Sequence, residues 1–276
     1  MFKKLIIELQ SNCNRDCFFC SRRWDKSGKR LGPDGKRIIR SMPTESALRI
    51  LDQASSMGFR GYTTFHLFSE PFLDKRIIEM AREAEKRGLR PYEHTNGDVL
   101  KHNDALCKAA AEVFEYIVVG LYDYENESEL AEEKRFWRQK LQGTRVLFSE
   151  VGKVTPRTLT PYDPRMAENK KTYPGCFCQE PLLRLIVQYD GTIAFCCEDM
   201  KDDFGFGSAF DASIEEIWYS ERHVRIVKDL KQGLRGKYPL CAGCPIPPIH
   251  HTGLPRIARG LRRRLTSLIK KPRGAG

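Results

Sequence analysis

No stretch of this 276-residue chain approaches the roughly 20 consecutive apolar residues that cross a bilayer, which excludes a transmembrane helix. No export signal opens it either. Met1-Phe2-Lys3-Lys4 leads straight into an apolar run that already carries Glu8. Without export, ten cysteines are not a disulfide framework and point instead to metal or thiol chemistry in the cytoplasm. There are no internal repeats. Acidic residues are missing from one region: between Pro245 and Gly276 stand Arg256, Arg259, Arg262, Arg263, Arg264, Lys270, Lys271 and Arg273, with no Asp or Glu. That segment holds +8 of the net charge of +11, so the first 244 residues are close to ordinary. With 41% hydrophobic residues the chain can bury one large domain, or one domain with a smaller companion.

Within the basic segment, Leu254, Ile257, Leu261, Leu265 and Leu268 recur every three to four residues, the pattern of a basic amphipathic helix. It could touch an anionic membrane surface peripherally or dock on the body. No aromatics interleave with its charges, so nucleic acid is not an expected partner.

Residues 1–165 alternate strand and helix patterns. Strands are expected at Leu5–Leu9, Thr63–Phe68, Tyr92–Thr95, Tyr116–Leu121 and Arg145–Glu150. Helices are expected at Thr44–Met57 with Thr44 as N-cap, Lys75–Arg87 after Asp74, Asn103–Glu112 and Glu125–Gln142. Such alternation implies a parallel sheet, here an open or partial barrel of five or six units. Polar groups at the C-terminal ends of barrel strands form the site. Three stretches fall there: the loop after Leu9, Ser69-Glu70-Pro71, and Thr95-Asn96-Gly97-Asp98. Arg22–Arg40 lacks periodicity and reads either as a surface loop or flap following the cysteine loop or as a disordered insertion.

The loop after the first strand spaces Cys13, Cys17 and Cys20 as C-x3-C-x2-C. A four-iron cubane takes four ligands, so three thiolates leave one iron open for a substrate or cofactor. Structural zinc prefers two close pairs, and this loop offers neither a second pair nor a nearby histidine. From Tyr173 a second module begins. Leu183–Tyr189, Asp190-Gly191 and Thr192–Cys196 read as a β-hairpin. A helix follows, started by a Ser213/Glu216 capping box and ended by Gly233, and then Cys241-x2-Cys244.

With Phe19 before its last cysteine, the first loop resembles the signature of the radical S-adenosylmethionine (radical SAM) superfamily. Cys178, Gly191-x4-Cys196 and Cys241-x2-Cys244 resemble the twitch or SPASM auxiliary-cluster domain. This likeness implies an α/β fold: a partial (β/α)6 TIM-like barrel over 1–165, a β-hairpin-plus-helix iron–sulfur domain over 166–250, and a basic tail over 251–276. It implies a SAM-binding [4Fe-4S] cluster on Cys13, Cys17 and Cys20. It implies an auxiliary [4Fe-4S] cluster on Cys178, Cys196, Cys241 and Cys244, for which a zinc site is the alternative. Glu70 would hold the ammonium of S-adenosyl-L-methionine, with Phe19, Ser69, Thr95, Asn96, Asp98 and Gly120 around the cofactor. A flavodoxin- or ferredoxin-type protein would supply electrons.

Residues 4–245 resemble most the aminocyclitol dehydrogenases of this superfamily and, more loosely, its aminoglycoside epimerases. Hydrogen abstraction from a carbon of a small polyhydroxylated substrate is therefore expected, ending in dehydrogenation or epimerisation. A peptide-modifying enzyme and a non-catalytic metal-binding nucleic-acid module are the alternatives. Arg157 and Glu198 are candidate bases or substrate clamps. Cys176 and Cys197 are candidate hydrogen-atom donors or substitute ligands, and Cys107 belongs in the core.

Overall fold

A computed structural model describes residues 1–25, 27–124, 126–150, 157–158 and 171–248. The expected basic tail helix, and most of the segment joining the two proposed domains, lie outside these residues. In chain order the elements are β1 (Lys4–Ile7), α1 (Thr44–Ser56), β2 (Tyr62–Thr64), α2 (Ile77–Lys86), β3 (Arg90–Pro91), β4 (Glu93–Thr95), α3 (Asp98–Lys101) and α4 (Asp104–Val113). There follow β5 (Tyr116–Leu121), α5 (Glu127–Lys140), β6 (Arg145–Glu150), α6 (Glu180–Leu183), β7 (Arg184–Val187), β8 (Ile193–Ala194), α7 (Ile214–Tyr219), α8 (Glu221–Lys231) and α9 (Pro239–Ala242).

Strand order is β3-β2-β1-β7-β8 in one sheet and β4-β5-β6 in the other. Tyr92 joins them, because β3 and β4 are consecutive pieces of one stretch and the Tyr92 amide donates to the Thr63 carbonyl at 2.9 Å. The fold is the expected partial barrel. All its strand pairs are parallel except β7 with β8.

Period-2 alternation sorts the faces. On β1, Leu5 and Ile7 enter the main core against the helices, while Ile6 packs inward on Ile186 and Ala194. On β5, Ile117, Val119 and Leu121 face the helices, and Tyr116 and Val118 face inward with Tyr92. Helix α1 answers with Ala47, Ile50, Leu51 and Ala54, one apolar stripe at helical spacing. The inward row is left to line a lumen.

β5 and β6 run over the expected residues, and α4 is shifted by one residue, whereas several other elements are shorter. β2 stops at Thr64 because side chains take over its backbone donors: the Phe65 amide donates to Glu93 Oε2 at 2.9 Å and the Phe68 amide to Glu8 Oε1 at 2.9 Å. Pro43, not Thr44, occupies the N-cap of α1, and Thr44 Oγ1 accepts from Arg76 instead. α2 starts at Ile77, since Asp74 accepts from the Arg76 amide and ends a short 3-10 turn over Pro71–Leu73. The expected long helix after Ser213 is two: the capping box is present, but Ser220 ends α7 and caps α8 through the His223 amide.

Two further differences concern tertiary placement. β7, the first arm of the expected hairpin, pairs in parallel with β1, so the hairpin grows from the edge of the barrel sheet. The 22–40 loop is neither a free flap nor an unanchored insertion. Arg30 is fully buried and binds Glu8 Oε2 at 2.6 Å and Gln188 Oε1 at 2.8 Å, while Lys29 pairs with Asp190 and Asp202. Cys107 is buried in α4 as expected, its Sγ donating to the Leu100 carbonyl at 3.0 Å.

Candidate functional site

One cavity of about 440 Å³ opens at the C-terminal ends of the strands and reaches into the lumen. That volume is in the range of small-molecule sites. Cys13, Cys17 and Cys20 form one wall, on the loop that leaves β1. The loop is braced from outside: Arg15 pairs with Asp98 and with Asp123, Asn14 Nδ2 donates to Asp98 at 2.7 Å, and the buried Arg22 donates to the Cys13 carbonyl at 3.3 Å. Burial, reinforced by the neighbouring thiols, pushes Cys17 up to about 12, and burial also raises Cys13 and Cys20. Three buried thiols that resist ionising together become thiolates when a cationic metal centre supplies the compensating charge.

Glu70 stands on a second wall, 2% exposed. Its carboxylate accepts from the Thr95 hydroxyl at 2.7 Å, the Asn96 amide at 2.7 Å and the Phe72 amide at 3.2 Å. Burial outweighs these donors and raises its pKa to about 7. Among the described residues no cation pairs with it, and a buried acid of that kind is suited to receiving one. Among the described residues, Ser69 Oγ on the same wall is buried without a hydrogen-bond partner, as is Ser21 Oγ beside the cysteine loop. Polar atoms without partners fit a polar ligand filling this space.

Phe19 stacks edge-on against Tyr122 at 4.5 Å, and both line the cavity. Gly120 lines it too; a Cβ there would lie 2.3 Å from the Tyr122 ring, so glycine lets that ring fold back. Thr95 and Asn96 reach the cavity. Asp98 does not: its side chain turns to Arg15 and steadies the cysteine loop, so of the expected cofactor contacts it is the one moved to a bracing role.

Cys178, Cys196, Cys241 and Cys244 gather around a second, smaller apolar cavity with Phe195, Leu230 and Leu240. Burial and the neighbouring thiols push Cys241 up to about 12 and Cys244 up to about 11. The Glu198 amide donates to Cys196 Sγ at 3.4 Å, and the Cys178 amide is fixed by the Leu230 carbonyl at 2.9 Å. Among the described residues, no three His, Cys, Asp or Glu side chains converge tightly enough for a single metal ion.

Adjacent cysteines on the hairpin serve different cavities: Cys196 lines the small one and Cys197 the large one. Arg157 joins them. It lines the large cavity, donates to the Cys197 carbonyl at 3.1 Å and pairs with Glu198 Oε1 at 2.9 Å. Glu198 is 4% exposed, faces the small cavity, and is spent on Arg157 and the Thr158 amide, so it is not an open base in the large cavity. Cys176 lines neither cavity, unlike Cys197.

His66, His94 and Arg184 also line the large cavity, with Glu93 buried behind. None was singled out in the sequence. Position just past or on an expected strand was the available signal, but that register also fits a core residue.

Two regions of the chain match known families. Residues 7–148 match the radical SAM superfamily, and residues 176–245 match an iron–sulfur cluster-binding domain of the SPASM type. The chain is 25% identical over 257 residues to the S-adenosyl-L-methionine-dependent 2-deoxy-scyllo-inosamine dehydrogenase of Niallia circulans, covering 88% of this chain and 93% of that protein. Its fold is similar to the crystal structure of BtrN in complex with AdoMet and 2-DOIA, with TM-score 0.68, 21% identity, and 88% and 93% of the two chains covered. It is similar also to native anSMEcpe with bound AdoMet, with TM-score 0.55, 12% identity, and 82% and 83% covered.

Proposed function

The chain belongs to the radical SAM superfamily, and with that as the premise we propose that it oxidises a secondary alcohol of a small polyhydroxylated substrate, an aminocyclitol or a related cyclitol or sugar. S-adenosyl-L-methionine and two [4Fe-4S] clusters, when bound, supply a 5′-deoxyadenosyl radical that removes a carbon-bound hydrogen and a one-electron acceptor that completes a two-electron oxidation. Cys13, Cys17 and Cys20 hold the first cluster, and Cys178, Cys196, Cys241 and Cys244 the second. Glu70 receives the cofactor's ammonium, with Ser69, Asn96 and Phe19 around it. Thr95 holds Glu70 in place. Residues 1–165 make the barrel domain and 166–250 the auxiliary one.

The observation that carries this reading is the single cavity with the three-cysteine loop on one side and the Cys197–Arg157 wall on the other, backed directly by the four-cysteine cavity. A substrate between these walls lies within reach of both. Arg157, fixed by Glu198, is suited to donating hydrogen bonds to a substrate oxygen. A reductant of flavodoxin or ferredoxin type would supply the initiating electron.

Epimerisation is the second reading, favoured by one feature: a thiol, Cys197, on the wall of the substrate cavity. Incubation in deuterated water separates the two. Oxidation yields a new carbonyl with no solvent deuterium at the abstracted carbon. Deuterium there, without a change in oxidation level, means epimerisation. In that case Cys197→Ala should abolish deuterium incorporation.

A further inference from the structure

The cavity wall between β2 and β4 carries a cluster to which the proposed function assigns no role. Glu93 is completely buried there. Its carboxylate accepts from the Thr64 hydroxyl at 2.7 Å, the Phe65 amide at 2.9 Å and the His94 amide at 2.9 Å. It also lies 2.6 Å from Nδ1 of His66. The His66 and His94 rings pack face to face, centroids 4.4 Å apart and planes 34° from parallel, and both line the cavity. Nδ1 of His66 is committed to Glu93 and Thr64. Among the described residues Nε2 is the ring nitrogen left for a ligand. A carboxylate that fixes one imidazole nitrogen and leaves the other facing a substrate space is a general-base arrangement.

We propose that His66, braced by Glu93, binds the reacting hydroxyl of the substrate and takes its proton. The proposal rests on the oxidation reading above. Oxidising a secondary alcohol breaks two bonds to hydrogen. The C–H hydrogen leaves as an atom to the 5′-deoxyadenosyl carbon. The O–H bond breaks with its electron pair kept by oxygen as the carbonyl forms, and its proton goes to Nε2. One electron remains for the one-electron acceptor, an iron–sulfur cluster. Arg184 from β7, Lys4 from β1 and Glu8 also face the His66 ring. Two cations and burial disfavour a lasting imidazolium, so the proton is relayed from Nδ1 to Glu93, whose proton affinity burial raises. The dyad thereby accepts a net proton without leaving a positive ring in the lumen.

The test uses the full chain, reconstituted without oxygen, with 2-deoxy-scyllo-inosamine deuterated at the oxidised carbon as probe. His66→Gln can hydrogen-bond a hydroxyl but cannot take its proton. Deuterium transfer into 5′-deoxyadenosine should stay within about threefold of wild type while carbonyl product falls about 100-fold. The wild-type increase of oxidation with pH should flatten, and Glu93→Gln should displace that profile. Carbonyl formation at the wild-type rate with an unchanged pH profile in His66→Gln would overturn the proposal. Should His66→Gln lose S-adenosyl-L-methionine cleavage, His66→Ala with added imidazole decides: restored carbonyl supports it, and no rescue overturns it. A wild type that makes no carbonyl defeats the oxidation reading and the proposal together. A productive wild type beside an indifferent His66→Gln defeats the proposal alone.

Discussion

Glu70 is the carboxylate proposed to meet the cofactor's ammonium. Only its ionised form could do so, and burial raises its pKa to about 7. Affinity for S-adenosyl-L-methionine should therefore be full above neutral pH and decline as pH falls through 7, about tenfold per unit well below it. Calorimetric titration at pH 8 and pH 5.5 checks this, and equal affinities would speak against Glu70 as the ammonium site. Glu70→Gln should weaken binding at pH 8 by about 10- to 100-fold, the worth of a hydrogen bond to a charged group. That Glu70 and the two sets of cysteines would gather on cavities was legible, because spacing and position past a strand do not depend on where a side chain turns. Asp98 was harder to place for the converse reason: the run Thr95-Asn96-Gly97-Asp98 does not say which polar side chains turn to the cavity and which to Arg15. His66 and Glu93 stayed hidden because their pairing depends on β2 and β4 meeting side by side.

At the scale of elements, strands defined by apolar runs were legible and their ends were not. β5 is buried along its whole length, so its run of apolar residues is the strand. β2 ends early because Glu8 and Glu93, distant in sequence, capture the next backbone amides. The same buried Glu8 anchors the 22–40 loop through Arg30, a contact that no local pattern announces. Arg30→Met removes one partner of a fully buried pair and should cost about 3–5 kcal/mol, lowering the thermal midpoint by roughly 10 °C. A loop that merely lay on the surface would show almost no change in the same thermal scan. Gly97 links an element to the site. Its φ is +84° and a Cβ would lie 2.5 Å from the Trp137 ring. Gly97→Ala should thus displace Asn96, whose amide binds Glu70, and weaken S-adenosyl-L-methionine binding as well as stability.

The whole molecule places two sets of thiols on either side of one wall, with Cys196 and Cys197 back to back. About eight irons and eight sulfides per chain are expected after anaerobic reconstitution. Replacing Cys13, Cys17 and Cys20 together by alanine should leave about four of each and abolish cofactor cleavage. The hairpin's growth from the barrel sheet explains how the second site comes to face the first, a relation visible only once β7 is paired with β1. Among the described residues no helix is long and apolar enough to cross a membrane. The most direct measurement is an anaerobic, single-turnover reaction of the reduced two-cluster protein with S-adenosyl-L-methionine and 2-deoxy-scyllo-inosamine deuterated at the carbon to be oxidised. Deuterated 5′-deoxyadenosine and a carbonyl product in equal amounts are expected. Deuterated 5′-deoxyadenosine with the substrate's oxidation level unchanged, or no deuterium transfer at all, would contradict the oxidation of a polyhydroxylated substrate.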